Sequence, residues 1–258
     1  MSYVIRVTCT QHLGDRENQE DALGTSSPDD FESKGMLAVL SDGMGGMERG
    51  EFYSSLAVNA MLNAFRNAPA DAEPLKGLLR MYGEVRMQAL SLTQGSERPE
   101  DGGATLVAAL IRDDELSFLS VGDSCIDLFR GGGLIRLNRP QTLGVRLDER
   151  AAMGYIPQET AQMNTMRDAL TNHINATRPQ PCDLCSRPIR LLPGDRILIT
   201  SDGVTNSLSQ QTITDVLSST HEAARALIAE LKRASLPRQD NASVLLLDVL
   251  PEDLKGGF

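Results

Sequence analysis

Three apolar runs follow one another almost without a break: ATLVAALI at 104–111, ELSFLSV at 115–121 and CIDLFR at 125–130. The links between them, RDD and GDS, have turn composition. Parallel neighbours need a crossover of a dozen or more residues, so these strands must be antiparallel. Further strands are expected at 3–9 (YVIRVTC), 35–41 (GMLAVLS), 195–200 (DRILIT) and 242–250 (ASVLLLDVL). Residues 48–66 read as a helix, with Phe52, Leu56, Ala57, Ala60, Met61 and Ala64 as its apolar stripe. A second helix covers 75–92, with Leu75, Leu78, Leu79, Tyr82, Val85 and Ala89 on one face. TQGSERPEDGG is a polar linker. Residues 138–163 lack a clear period and read as an irregular surface segment. Two more helices follow at 209–217 and 221–235, the second with Ala224, Leu227, Ile228 and Leu231 inward. The fold class is α+β, with antiparallel sheets covered on their outer faces by helices. No linker forces a split, so residues 1–250 read as one domain and 251–258 as a frayed tail.

A chain of 258 residues, 41% apolar, supports a full hydrophobic core. Its 25 basic and 35 acidic side chains leave a net charge of −10. That argues against nucleic acid as a partner, because a phosphate backbone demands a basic footprint. It also disfavours an anionic membrane surface. No uncharged apolar run approaches the roughly 20 residues that span a bilayer. Cys9, Cys125, Cys182 and Cys185 are too few for a disulfide scaffold, and the first residues lack the shape of a signal peptide. A cytoplasmic monomer is expected.

The acids are not evenly spread. Apolar runs end repeatedly in aspartate: LAVLSDGMGG at Asp42, LSFLSVGDS at Asp123 and RILITSDGV at Asp202. Asp240 precedes the last strand, and RENQED supplies Glu20 and Asp21. Each Asp-Gly taken alone is also a common turn dipeptide. Together, carboxylates at the ends of shared sheets repel one another unless protons or cations compensate. Hard oxygen ligands suit Mg²⁺ or Mn²⁺. Two such ions about 3.5–4 Å apart are a standard device for hydrolysing phosphate esters. Composition alone does not choose a phosphatase over other metal-dependent hydrolases.

The ordered motifs do. GDRENQED (14–21), DGMGG (42–46), GAT (103–105), GDS (122–124), SDG (201–203) and DNAS (240–243) together resemble the metal-dependent protein phosphatases of the PP2C (PPM) type, in bacterial form. The resemblance covers nearly the whole chain. It implies a four-layer α/β/β/α sandwich, with two central antiparallel sheets flanked by antiparallel helix pairs. It implies two Mn²⁺ or Mg²⁺ ions and the hydrolysis of phosphoserine and phosphothreonine in proteins by a metal-activated water. By the resemblance, Asp42 bridges the two ions and Gly43 offers its carbonyl to one. Asp202 and Asp240 hold the other. Glu20 and Asp21 bind or orient waters on the ions. Asp123 joins Asp202 in a third, weaker site, and Arg16 grips the substrate phosphate. Gly45 and Gly46 would let the backbone approach the ions. The implied partners are phosphorylated proteins, with a Ser/Thr kinase acting in opposition. Two other readings compete: a phosphatase dedicated to one regulatory phosphoprotein, and a pseudophosphatase that binds without cleaving. Retention of Asp42, Asp202 and Asp240 weighs against the latter.

The sequence departs from the family pattern in places. Met44 stands where eukaryotic relatives often carry a histidine with an acid role. A thioether has no proton to give, so water is the expected donor. The flap-like stretch of about 138–175 is divergent. LNRPQTLG (137–144) replaces a DHS-type element, and Arg167 and Asp168 in NTMRDALT break a second pattern. This bears on which phosphoprotein is cleaved. His12, His173 and His221 lie outside any recognisable ligand spacing; His173 sits near the variable segment, where it could touch substrate, and His221 reads as a surface residue. Cys182 and Cys185 form a lone C-x-x-C, which reads as ordinary thiols ahead of zinc or redox use. Cys125, where an arginine is usual, reads as packing.

Overall fold

The computed structural model describes residues 3–44, 49–93 and 102–251. The chain opens with β1 (Tyr3–His12), β2 (Asp21–Thr25), the short α1 (Phe31–Lys34) and β3 (Met36–Met44). Two long helices follow, α2 (Gly50–Asn67) and α3 (Pro74–Thr93). Next come β4 (Gly103–Ala104), β5 (Leu106–Arg112), β6 (Glu115–Val121), β7 (Cys125–Arg130) and β8 (Gly133–Arg136). The flap region holds α4 (Leu143–Ala152) and α5 (Gln158–Gln162), then β9 (Asp183–Leu184) and β10 (Ile189–Arg190). The chain closes with β11 (Arg196–Thr200), α6 (Asp202–Ser207), α7 (Gln210–Ser219), α8 (Ala223–Ala234) and β12 (Ala242–Pro251).

Two antiparallel sheets form. One runs β1-β12-β11-β7-β8, the other β10-β6-β5-β3-β2, with β4 on β3 and β9 on β6. Alternation of side chains explains the layers. In β3, Met36, Ala38 and Leu40 enter the core between the sheets, while Leu37 and Val39 face the core under α2 and α3. In β12, Leu245, Leu247 and Val249 face the inter-sheet core, and Ala242, Val244 and Leu246 the core beneath α6 to α8. Strands buried on both faces must be apolar throughout, as MLAVL (36–40) and VLLL (244–247) are. Three stacked cores give the four layers that the sequence implies.

Some expectations change. The inward face of α2 is Tyr53, Ala57, Ala60, Met61 and Phe65, whereas Phe52 points outward at 49% exposure. Leu79 is likewise exposed on α3. In α2 the stripe turns toward Tyr53 and Phe65 while Ala57, Ala60 and Met61 stay inward; in α3 Leu78, Tyr82, Val85 and Ala89 are buried as expected. Residues 138–163 are not irregular, because α4 and α5 lie there. Leu143, Leu147 and Ala151 give α4 a short stripe at i, i+4 spacing that is only half-buried; its one buried residue is Gly144. Polar bonds help to hold it. Thr142 Oγ1 caps it by accepting from the Val145 N–H, Gly144 N–H donates to the Arg167 carbonyl at 2.7 Å, and Arg167 holds Asp148 at 2.6 Å. At the other end, Pro251 pairs with Tyr3 and so belongs to the sheet rather than to a tail. Residues 252–258 lie outside the described residues, as does most of the polar linker. No described helix is long and apolar enough to cross a membrane.

A buried charge pair ties the last helices to the sheet. Asp248 accepts from Arg196 at 2.6 Å and from Arg6 at 2.8 Å, and Arg196 also donates to the Leu217 and Thr220 carbonyls at the end of α7. Removing one member strands the others without solvent. Asp248→Ala should cost about 3–5 kcal/mol, read as a lower denaturation midpoint at unchanged slope. A loss below about 1 kcal/mol would contradict this role.

Candidate metal and phosphate site

The site lies where ends of the two sheets meet. The β2–β3 register sets Asp21 opposite Asp42. Asp202 opens α6 directly after β11, Asp240 lies just before β12, and Asp123 sits in the turn by which the chain passes from β6 to β7, between sheets.

Side-chain hydrogen bonds sew these ends together. Asp21 Oδ2 accepts from Ser201 Oγ at 2.8 Å and from Ser243 Oγ at 2.7 Å, both on the opposite sheet's side. Asn241 accepts from the Glu20 N–H at 2.7 Å and donates to the Leu13 carbonyl at 2.8 Å. Thr105 Oγ1 accepts from the Asp42 N–H at 2.9 Å and lies 2.7 Å from Ser124 Oγ, beside Asp123. None of Asn241, Ser201, Ser243 or Thr105 had a role assigned from sequence. Their signal was present all the same, since each stands inside one of the short motifs that carry an acid or precede one.

Two glycines permit the close approach. Gly14 has φ +65°, and a Cβ on it would stand 2.3 Å from the Asp240 carbonyl oxygen. The turn can therefore press against 239–240, where Asp15 N–H donates to the Gln239 carbonyl at 2.8 Å. Arg16 emerges from this turn, and its Nη2 donates to Asp240 Oδ2 at 2.6 Å. A Cβ on Gly43 would lie 2.3 Å from the Gly50 carbonyl oxygen, so only glycine fits there.

Electrostatics mark the cluster as under-compensated. Burial pushes Asp42 well above the usual carboxylate range, and Asp21, Asp202, Asp123 and Asp240 push it further. Burial raises Asp21 to about 6 against the pull of its two serine donors. Burial, then Asp202, raises Asp123 to about 7, with Asp168 of the flap adding to it. Asp202 is raised by burial and by Asp240, and is eased by a hydrogen bond shared with Asp42. Protonation within this cluster would relieve the repulsion that a cation would otherwise offset. Glu20 is raised by burial, opposed by Arg16. Arg16 is the cation that faces this set.

The residues present fit divalent cations. The donors are all oxygens, and Asp21 Oδ1 is buried with no hydrogen-bond partner. Among the described residues, no three acidic, histidine or cysteine side chains meet in a ready-made cage. The carboxylates share a rim rather than a cage. The structure brings Arg16, Glu20, Asp21, Asp42, Gly43, Asp123, Asp202 and Asp240 to that rim. Gly45 and Gly46 lie outside the described residues. His12 ends β1 and His221 is exposed before α8. The C-x-x-C does not form a pair: Cys182 packs with the core under α2 and α3, Cys185 with the inter-sheet core. Cys125 is buried, and its burial pushes the thiol up to about 12, as suits a packing residue.

The sequence profile described as Protein phosphatase 2C matches residues 8–239. The chain belongs to the protein phosphatase 2C family. It is 30% identical over 244 residues to the serine/threonine protein phosphatase PstP of Mycobacterium tuberculosis, a match covering 92% of this chain and 43% of that protein. The chain thus spans less than half the length of that relative. It is 28% identical to the serine/threonine phosphatase stp of Listeria welshimeri, covering 90% of this chain and 91% of the other. Among solved structures, the catalytic domain of PstP in complex with two manganese ions superposes with a TM-score of 0.73 at 27% identity, covering 97% of this chain and all of that one. The two-sheet architecture and the family thus agree, and a divalent metal at this rim accords with both.

The raised acids set a pH dependence for the metal-free protein. Asp21 and Asp123 bind protons more tightly folded than unfolded. Their contribution to stability is therefore largest below the ordinary carboxylate pKa and is lost as pH rises through about 6 to 7. Chelator-treated protein should lose several degrees of melting temperature between pH 5 and pH 7.5, at roughly 2–4 °C per kcal/mol. Mn²⁺ should restore it, and Asp123→Asn should flatten the fall. A flat profile in chelator would contradict this reading.

Proposed function

We propose that this chain hydrolyses phosphoserine and phosphothreonine in proteins, with water as nucleophile and divalent cations at the carboxylate rim. The observation that carries the reading is the set of mutually repelling acids, buried Asp21 and half-buried Asp42, Asp123 and Asp202, beside Asp240 and facing Arg16 in a protein phosphatase 2C chain. Two ions, Mn²⁺ or Mg²⁺, would be held by Asp42 between them, with the Gly43 carbonyl, Asp202 and Asp240. A third, weaker one would sit by Asp123 and Asp202, where Asp168 adds negative charge. When bound, the cations supply Lewis-acid charge and make a water acidic enough to ionise near neutral pH. Glu20 and Asp21 orient waters at the rim, and the Ser201 and Ser243 donors fix the direction of Asp21. Arg16 is half-exposed on Asp240. Its planar fork suits phosphoryl oxygens, so substrate binding trades the aspartate for the phosphate. The reading needs no protein nucleophile and no phosphoenzyme.

The substrates would be phosphoproteins made by an opposing Ser/Thr kinase. Four free cysteines suit a reducing compartment, in keeping with a cytoplasmic enzyme. Retention of all the rim acids supports catalysis over simple phosphoprotein binding.

The test is Mn²⁺-dependent phosphate release from a phosphothreonine peptide. Asp42→Ala and Asp202→Ala should each lower kcat/KM by about 10³-fold or more, the scale of several kcal/mol of lost charge stabilisation. No release by the manganese-loaded parent would overturn the proposal. Arg16→Ala should raise KM and lower kcat/KM by roughly 10–100-fold; an unchanged kcat/KM would remove Arg16 from the phosphate site.

A further inference from the structure

Ester hydrolysis at a seryl or threonyl oxygen leaves an alkoxide that must gain a proton. Arg16 cannot give one, and neither can the Met44 thioether. The structure sets an imidazole beside Met44. β4 pairs with the end of β3, placing Gly103 opposite Met44. The segment after the flap docks on β4: Ile174 N–H donates to the Ala104 carbonyl at 3.0 Å, and Asn175 Nδ2 donates to the Gly102 carbonyl at 2.9 Å. A Cβ on Gly103 would lie 2.8 Å from His173 Nδ1 and 2.8 Å from Met44 Cε. One missing methyl group therefore separates the His173 ring from the Met44 side chain, two residues beyond Asp42.

The ring is oriented as well as placed. Asn175 is buried, and its bond to the Gly102 carbonyl fixes which end of the amide is nitrogen. Its Oδ1 then faces His173 Nδ1 at 2.8 Å as an acceptor. With that acceptor in place Nδ1 is the ring's donor to Asn175, and Nε2 is its other nitrogen. Arg86 of α3 braces the segment by donating to the Ile174 and Ala176 carbonyls. Gly103 itself leaves room for the ring, since any side chain there would strike it.

Resting on the hydrolytic reading above, we propose that His173 is the general acid of this chain. Water attacks phosphorus and releases a proton. The bond from phosphorus to the threonyl oxygen breaks with its electron pair on oxygen. The protonated ring gives its Nε2 proton to that oxygen, and solvent reloads the ring. In this proposal His173 takes the role that the sequence reading gave to water; its place beside Met44, some 130 residues upstream, is set by the fold and carries no spacing signal in the sequence.

The test compares leaving groups at saturating Mn²⁺. A phosphothreonine peptide needs a proton on departure, whereas p-nitrophenyl phosphate does not. His173→Gln and His173→Asn should lower kcat on the peptide by about 100-fold, the usual scale of general-acid catalysis, and on the aryl ester by no more than a few-fold. The half-saturating Mn²⁺ concentration and melting temperature should match the parent. Asn175→Ser keeps the ring but removes its orienting acceptor. It should lower the peptide reaction by a smaller factor, which keeps the proposal testable if a His173 variant is unstable. Ring NMR gives a readout without turnover: orthophosphate added to the Mg²⁺-loaded protein should shift the His173 signals and leave those of His221 in place. Equal losses on both substrates, no loss on the peptide, or unshifted His173 signals would overturn the proposal. Failure of the parent on both substrates would instead overturn the hydrolytic reading on which it rests.

Discussion

Repulsion between carboxylates is the constraint around which this molecule is arranged. Asp42 is pushed up by four other aspartates in addition to its own burial. A chain gains nothing in stability from such a cluster by itself. It persists because the two sheets hold it from outside, and because charge of the opposite sign can settle into it. In the structure Arg16 on Asp240 does part of that work.

The scaffold supplies the force that opposes repulsion. Leu40 and the residues before it are buried on both faces of β3, so the strand cannot shift without exposing two cores. The same holds for β12 on the other sheet. At their ends, Asp21 takes two hydroxyl donors from across the sandwich, and Asn241 locks the Glu20 backbone. The site is rigid where bonds cross between sheets. It is adjustable at Arg16 and Asp240, which stand half-exposed. The adjustable half is the one that would meet substrate.

Much of this was legible in the sequence, for definite reasons. Strand spacing between 104 and 130 left no room for crossover helices, which fixed the sheet type. Apolar runs ending in Asp42, Asp123 and Asp202 marked where strand ends would meet. Other parts were hidden because their signal is short or comes from distant segments. Helix α4 has ten residues and a half-buried stripe, and it leans on the Thr142 cap and the Arg167–Asp148 pair. Phe52 fits a helical stripe as well as Tyr53 does, and only packing against the sheet decides between them. His173 and Met44 are distant in sequence and become neighbours only through the pairing of β4 with β3. The C-x-x-C looks like a pair in sequence, yet a strand sends its two thiols into different cores.

A crystal structure of the manganese-loaded protein, with anomalous scattering recorded at the manganese edge, tests the central claim most directly. Two strong anomalous peaks are expected at the rim, with Asp42 contacting both and Asp202 and Asp240 contacting one. Arg16 is expected to have released Asp240. Absence of anomalous density among these carboxylates at saturating Mn²⁺ would contradict that claim.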